Sequence, residues 1–302
     1  MKYLAILLFF LLACQPEKEN ISESKNLVLS PEKALEVENI LESLPNPLET
    51  CNFISDLDCD SSDLSLNTNL IGINKDLAKY QSSYKMAVNM GVYRTDLYYC
   101  SHNKRYENAR NYLYAIGKLQ SEMLAHSDLL KKRLFALEKV KSKEMINLDS
   151  MVLVQTNFFF EDMKGHFTKL SKDEVNTLIE LGSWVEVMYL ATLYYEKKPC
   201  QPLKERIVEQ MIIVEQLFSA LEIFKNRSGI RNIHQEMRKL KNIYAKINKK
   251  SPSSKPIKFL HTETDYDLIF DDFEKEYAVE NSDQQMLDLC ESLKKMRSNL
   301  IQ

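Results

Sequence analysis

Two carboxylates fall where helical periodicity would place them inside a protein. Residues 172–195 read KDEVNTLIELGSWVEVMYLATLYY. At about 100° per residue, Val175, Leu178, Ile179, Gly182, Tyr189 and Leu193 form one stripe, with Glu186 in its middle. Leu181, Trp184, Val187, Met188 and Ala191 cover the other side, so this helix is expected to be buried all round. Residues 89–100, NMGVYRTDLYYC, repeat the combination. Gly91, Thr95 and Tyr98 lie on an inward stripe, with Asp96 on its border and Tyr93 further round. A buried carboxyl either finds hydrogen-bond donors or takes a raised pKa. Tyr93, Asp96, Tyr98, Trp184, Glu186 and Tyr189 would then line a cavity for a polar ligand. If Asp96 and Glu186 shared one open pocket, they could serve as acid and base in a hydrolase or lyase. The competing reading is structural: Gly91 and Gly182 admit a neighbouring helix, and the carboxyls cap helix ends or accept tyrosine hydroxyls. Packing, and with it a non-enzymatic binding or scaffold role, is the expectation carried forward.

The other chemically active residue is Cys14. Lys2 supplies a positive start, and an apolar run over 4–12 is too short to span a bilayer. Leu11-Leu12-Ala13-Cys14 resembles a bacterial lipobox. That resemblance implies cleavage before Cys14, a diacylglycerol on its thiol and acylation of the new amino group. Several acyl chains anchor a folded domain more durably than one. Residues 15–30 are polar and mixed in charge, and read as a flexible tether. The expected location is the bacterial cell envelope, most readily its outer membrane, on either the periplasmic or the surface-exposed face.

Few other chemistries find support. The formal net charge of −3 is balanced, so nucleic acid is not an expected partner. A peptide, glycan or protein is. The chain lacks a GxSxG, a Walker loop and a Rossmann glycine cluster, so no cofactor is expected. Residues 56–60 imitate the start of an EF-hand, but Ser61 and Asn67 occupy the positions that need glycine and glutamate. The histidines are scattered and no CxxC occurs, so no metal is expected either. Cys51 and Cys59 are near enough in sequence to bridge in an oxidising compartment, while Cys100 and Cys290 read as small core residues.

The elements that must position these groups are helices. Glycine is scarce, at six residues, and no Asn-Gly or Asp-Gly hairpin turn separates alternating runs. The fold class expected is all-α, an antiparallel multi-helix array with short connections. Residues 1–13 form the signal peptide, 14–30 the lipidated tether, 31–247 the main helical domain and 248–257 a hinge. Residues 258–302 form a C-terminal helical pair packed on the main domain. Within the main domain, helices are expected near 31–44, 74–100, 105–125, 142–170, 172–195, 202–225 and 229–247, with Ser30 capping the first. Met286, Leu289, Leu293, Met296 and Leu300 give the last helix an apolar face.

The two carboxylate-bearing stretches also resemble a group of helical Bacteroidetes lipoproteins of unassigned function. Gly91, Tyr93, Asp96, Leu97 and Tyr99 match its G-x-Y-G-A-D-L-x-Y segment, with Arg94 and Thr95 in place of the small pair. Gly182, Trp184, Glu186 and Tyr189 match its G-G-W-I-E-G-L-Y segment, with Ser183 and Val187 in place of glycines. Residues 44–49, LPNPLE, resemble its opening L-P-S-P-L-E. The resemblance implies an envelope location and a helical fold, and it implies no reaction.

Overall fold

A computed structural model describes residues 29–45, 80, 82–103, 105–123, 160–248 and 283–301. Among these residues the regular structure is entirely helical. We number the helices α1 (Pro31–Glu42), α2 (Ser83–His102), α3 (Tyr106–Met123), α4 (Asp173–Lys197), α5 (Gln201–Glu209), α6 (Met211–Phe224), α7 (Ser228–Asn248) and α8 (Asp283–Ile301). A further helical stretch over 160–169 leads into α4. The expected all-α array is therefore present. The signal peptide, the tether, the 248–257 hinge beyond Asn248 and the first helix of the C-terminal pair lie outside the described residues.

α4 is the hub, touching α1, α2, α5, α6 and α8, while α3 packs on α2 and α7 on α6 and α8. Its sequence explains why. Apart from Glu180, Tyr189 and Leu193, every residue from Asp173 to Tyr195 is buried. Only neighbours on all sides can cover a helix with that pattern. α2 is also buried without a break from Ala87 to Ser101, so Tyr93 and Asp96 do not sit at the edge of a stripe as the periodicity implied. Both are enclosed because α3 and α8 close over the side that α4 leaves uncovered.

Local signals set the boundaries. Ser30 caps α1 by accepting the Lys33 N–H at 3.4 Å, with Pro31 opening the helix. α2 begins at Ser83, later than its hydrophobic pattern implied, because Ser82 takes an extended backbone and accepts the Lys85 N–H at 3.2 Å. The 160–169 stretch ends with Ser171 at a left-handed φ of 53°. There the Lys172 N–H donates to Phe167 O at 2.9 Å and the Ser171 N–H to Thr168 O at 2.9 Å. This paired return closes a helix end, normally with glycine at the left-handed position. The single helix expected over 202–225 is two, because Gln210 (φ −64°, ψ −3°) breaks the ladder between α5 and α6. The Gln210 side chain is used elsewhere, accepting the Trp184 indole N–H at 3.2 Å.

The apolar face expected on α8 is seated: Met286, Leu289, Leu293, Met296 and Leu300 are all buried. Burying side chains of this size contributes on the order of 1.5–3 kcal/mol each before entropy costs. α8 thus belongs to the core, whatever path the preceding residues take.

Candidate functional site

The site grows out of one crossing. Gly91 of α2 and Gly182 of α4 meet the opposite helix backbone directly. A Cβ at Gly91 would overlap Ile179 O and stand 2.7 Å from Ser183 N, and one at Gly182 would overlap Val88 O. With the backbones this close, small polar side chains reach across. Thr95 Oγ1 donates to Ser183 O at 2.9 Å, and Ser183 Oγ donates to Gly91 O at 3.1 Å. The packing role expected for both glycines holds. Thr95 and Ser183 supply the hydrogen bonds that fasten the crossing.

One turn further along each helix, Asp96 and Glu186 come together. Both are wholly buried. Glu186 is clamped by Arg297 of α8, whose Nε and Nη2 donate to its two oxygens at 2.5 and 2.7 Å. The Tyr189 ring lies under that guanidinium, 3.8 Å from its carbon. Such a two-pronged pair is the strong form of a carboxylate–guanidinium contact. No guanidinium or ammonium N–H clamps Asp96 as Arg297 clamps Glu186. Its neighbours are the Glu186 carboxyl, the Arg297 charge and the Tyr112 hydroxyl.

Charge counting assigns the protons. Burial raises the Asp96 pKa well above the ordinary carboxyl value, and adjacent Glu186 raises it further. Burial also raises Glu186, but hydrogen bonds and charge from Arg297 oppose that shift. One guanidinium balances one carboxylate. Glu186 therefore carries the negative charge, and Asp96 keeps a proton that it donates to Glu186. Burial likewise lifts the Tyr112 hydroxyl, so it stays neutral.

The remaining candidates are committed to separate contacts. Tyr93 shares a hydrogen bond with Tyr80 at 3.0 Å and packs its ring on Tyr112, 5.7 Å between centroids. Tyr98 hydrogen-bonds Arg94, which pairs with Glu180 at 2.8 Å and lies over the Phe160 ring at 4.6 Å. Trp184 holds the α5–α6 junction through Gln210. Of the six residues expected to line one cavity, the structure joins Asp96, Glu186 and Tyr189 in one network, sets Tyr93 beside it against Tyr112, and places Tyr98 and Trp184 in two others.

Sequence reasoning missed Arg297, Tyr112 and Arg94. α8 carries Arg297 next to its apolar Met296, and an Arg at the margin of an otherwise apolar face was the available signal. His234 is also buried and bonds Glu222 at 2.5 Å, stacked on Phe218. Cys100 and Cys290 are buried and free, as expected of core residues. Cys200 is disulfide-bonded. The expected bridge between Cys51 and Cys59, and the lipidated Cys14, lie outside the described residues. No group of three or more metal-ligating side chains gathers among the described residues.

No protein-family model matches this chain, and comparison with curated proteins and with solved structures gives no match.

Proposed function

We propose that the chain is a lipid-anchored bacterial envelope protein of the kind its Bacteroidetes-like segments suggest. Its helical domain would act as a non-enzymatic binding or scaffold module. The observation that carries the non-enzymatic part is the state of the two carboxyls. Asp96 and Glu186 adjoin, as acid and base would have to. Yet neither has any exposed surface, and Glu186 is fully engaged by a guanidinium from a third helix. A general acid or base must reach substrate within hydrogen-bond distance. Here their geometry serves to join α2, α4 and α8.

The anchor reading rests on the lipobox and is supported by Cys200, since disulfides persist chiefly in oxidising compartments outside the cytosol. Among the described residues no helix is long and apolar enough to cross a membrane. Growing the expressing bacterium with an alkyne-tagged fatty acid tests the anchor. The wild-type chain should take the label and a Cys14→Ser chain should not; an unlabelled wild type contradicts the reading. Native mass spectrometry tests the module. A bound mass retained in folded Asp96→Asn and Glu186→Gln chains agrees with a partner held away from these carboxyls. Its loss in both would return them to a ligand-binding role.

A further inference from the structure

Three helices converge on one buried charge cluster, and only one of them brings a cation. α2 brings Asp96, α4 brings Glu186 and Tyr189, and α8 brings Arg297. We propose that the site formed by Asp96, Glu186 and Arg297 binds a single proton, and that this proton latches α8 to the helical core. With the proton on Asp96, the cluster is neutral overall: one carboxylate, one guanidinium, one carboxylic acid donating to the carboxylate. Without it, two carboxylates face one guanidinium in a site from which water is excluded. Like charges at contact distance in such a place are costly.

The surroundings offer no second cation. The titratable groups facing Asp96 are Tyr93 and Cys100 on its own helix, Tyr112 from α3, Glu186 and Tyr189 from α4, and Arg297 from α8. Burial holds the three tyrosines and the thiol in their neutral forms, the thiol pushed up to about 12. Arg297 is the one cation among them, and Glu186 already occupies two of its N–H groups. Beside Asp96 the Tyr112 hydroxyl is the one donor and it is neutral, so an ionised Asp96 would lack a cation of its own, whereas a carboxylic acid directed at the Glu186 carboxylate needs none. α8 is the removable member. α2 and α4 are interlocked backbone to backbone at Gly91 and Gly182, whereas α8 joins α4 through the Arg297 and Lys294 side chains. Its outer contact, Lys294 with Glu196 at 2.5 Å, is partly exposed and holds weakly.

The consequence is a quantitative pH dependence for opening at α8. Undocking would return Asp96 to water and to its ordinary pKa near 4. Between that value and the raised value of the docked state, each opening releases one proton. The opening equilibrium should then rise about tenfold per pH unit. Hydrogen-exchange mass spectrometry on the full chain measures this, with rates corrected for intrinsic pH dependence. Protection of α8 should fall about tenfold per unit from about pH 5 upward, relative to α6 as internal reference, and should be flat in Asp96→Asn. Equal pH responses of α8 and α6 in the wild type would overturn the proposal, as would an unchanged slope in a folded Asp96→Asn chain. If that variant does not fold, infrared spectroscopy of the wild type decides. A protonated-carboxyl band present at neutral pH and lost in step with α8 protection upholds the latch. Absence of that band at neutral pH overturns it.

Discussion

α4 is held on two sides by opposite means. Against α2 it offers backbone, with Gly91 and Gly182 admitting the partner helix and Thr95 and Ser183 closing hydrogen bonds onto carbonyls. Against α8 it offers a buried charge, taken up by Arg297. The first contact is steric and contains no titratable group. The second depends on protonation of a neighbouring acid. One helix thus carries a contact insensitive to pH and another governed by it, within the length of its central turns.

The largest effect should come from the steric side. Gly182→Ala sets a Cβ against Val88 backbone, which no rotamer change relieves. A loss of about 3 kcal/mol or more is expected, at the upper end for overpacking, or failure to fold. Denaturant midpoints measured on the full chain check it, and a loss no greater than that of an ordinary surface Gly→Ala change would break the description of this crossing.

Next is the electrostatic side. Arg297→Met leaves Glu186 buried without its cation, at a cost of about 3–5 kcal/mol near neutral pH. The double variant Glu186→Gln with Arg297→Met should recover most of that loss, because a neutral amide no longer needs the cation. The single-variant deficit should also shrink in acid, where Glu186 takes up a proton. Unfolding curves of the singles and the double form the required cycle.

Smaller effects sharpen the contrast. Thr95→Val removes one interhelical hydrogen bond and should cost about 1 kcal/mol, equally at all pH values. Ser171→Gly should stabilise by about 1 kcal/mol, since a left-handed φ of 53° costs an L-residue about that much. Thermal midpoints distinguish both from wild type.

Much of this was legible in the chain. Apolar residues on every side of 173–195 announced a central helix, and a glycine inside each of two buried helices announced a close approach. The separate network of Tyr98 and Arg94 was not legible, because periodicity gives the direction of a side chain and says nothing of which helix meets it. Arg297 was hidden for the same reason. Its partner lies more than a hundred positions away, and only the docking of α8 brings them together. The α5–α6 break was hidden because Gln210 carries no glycine or proline signal; its backbone bends where Trp184 draws its side chain.

The central claim is that the buried acid beside Glu186 is neutral in the folded protein. Its folded-state pKa is raised, so the stability it permits is fully present in acid and drains away as pH climbs from the ordinary carboxyl value toward the raised one. Urea unfolding of the full chain and of Asp96→Asn, at about pH 5 and about pH 8, reads this directly. The account predicts that the wild type loses stability between the two pH values relative to the variant. A wild type that holds or gains stability at the higher pH, relative to Asp96→Asn, would contradict it.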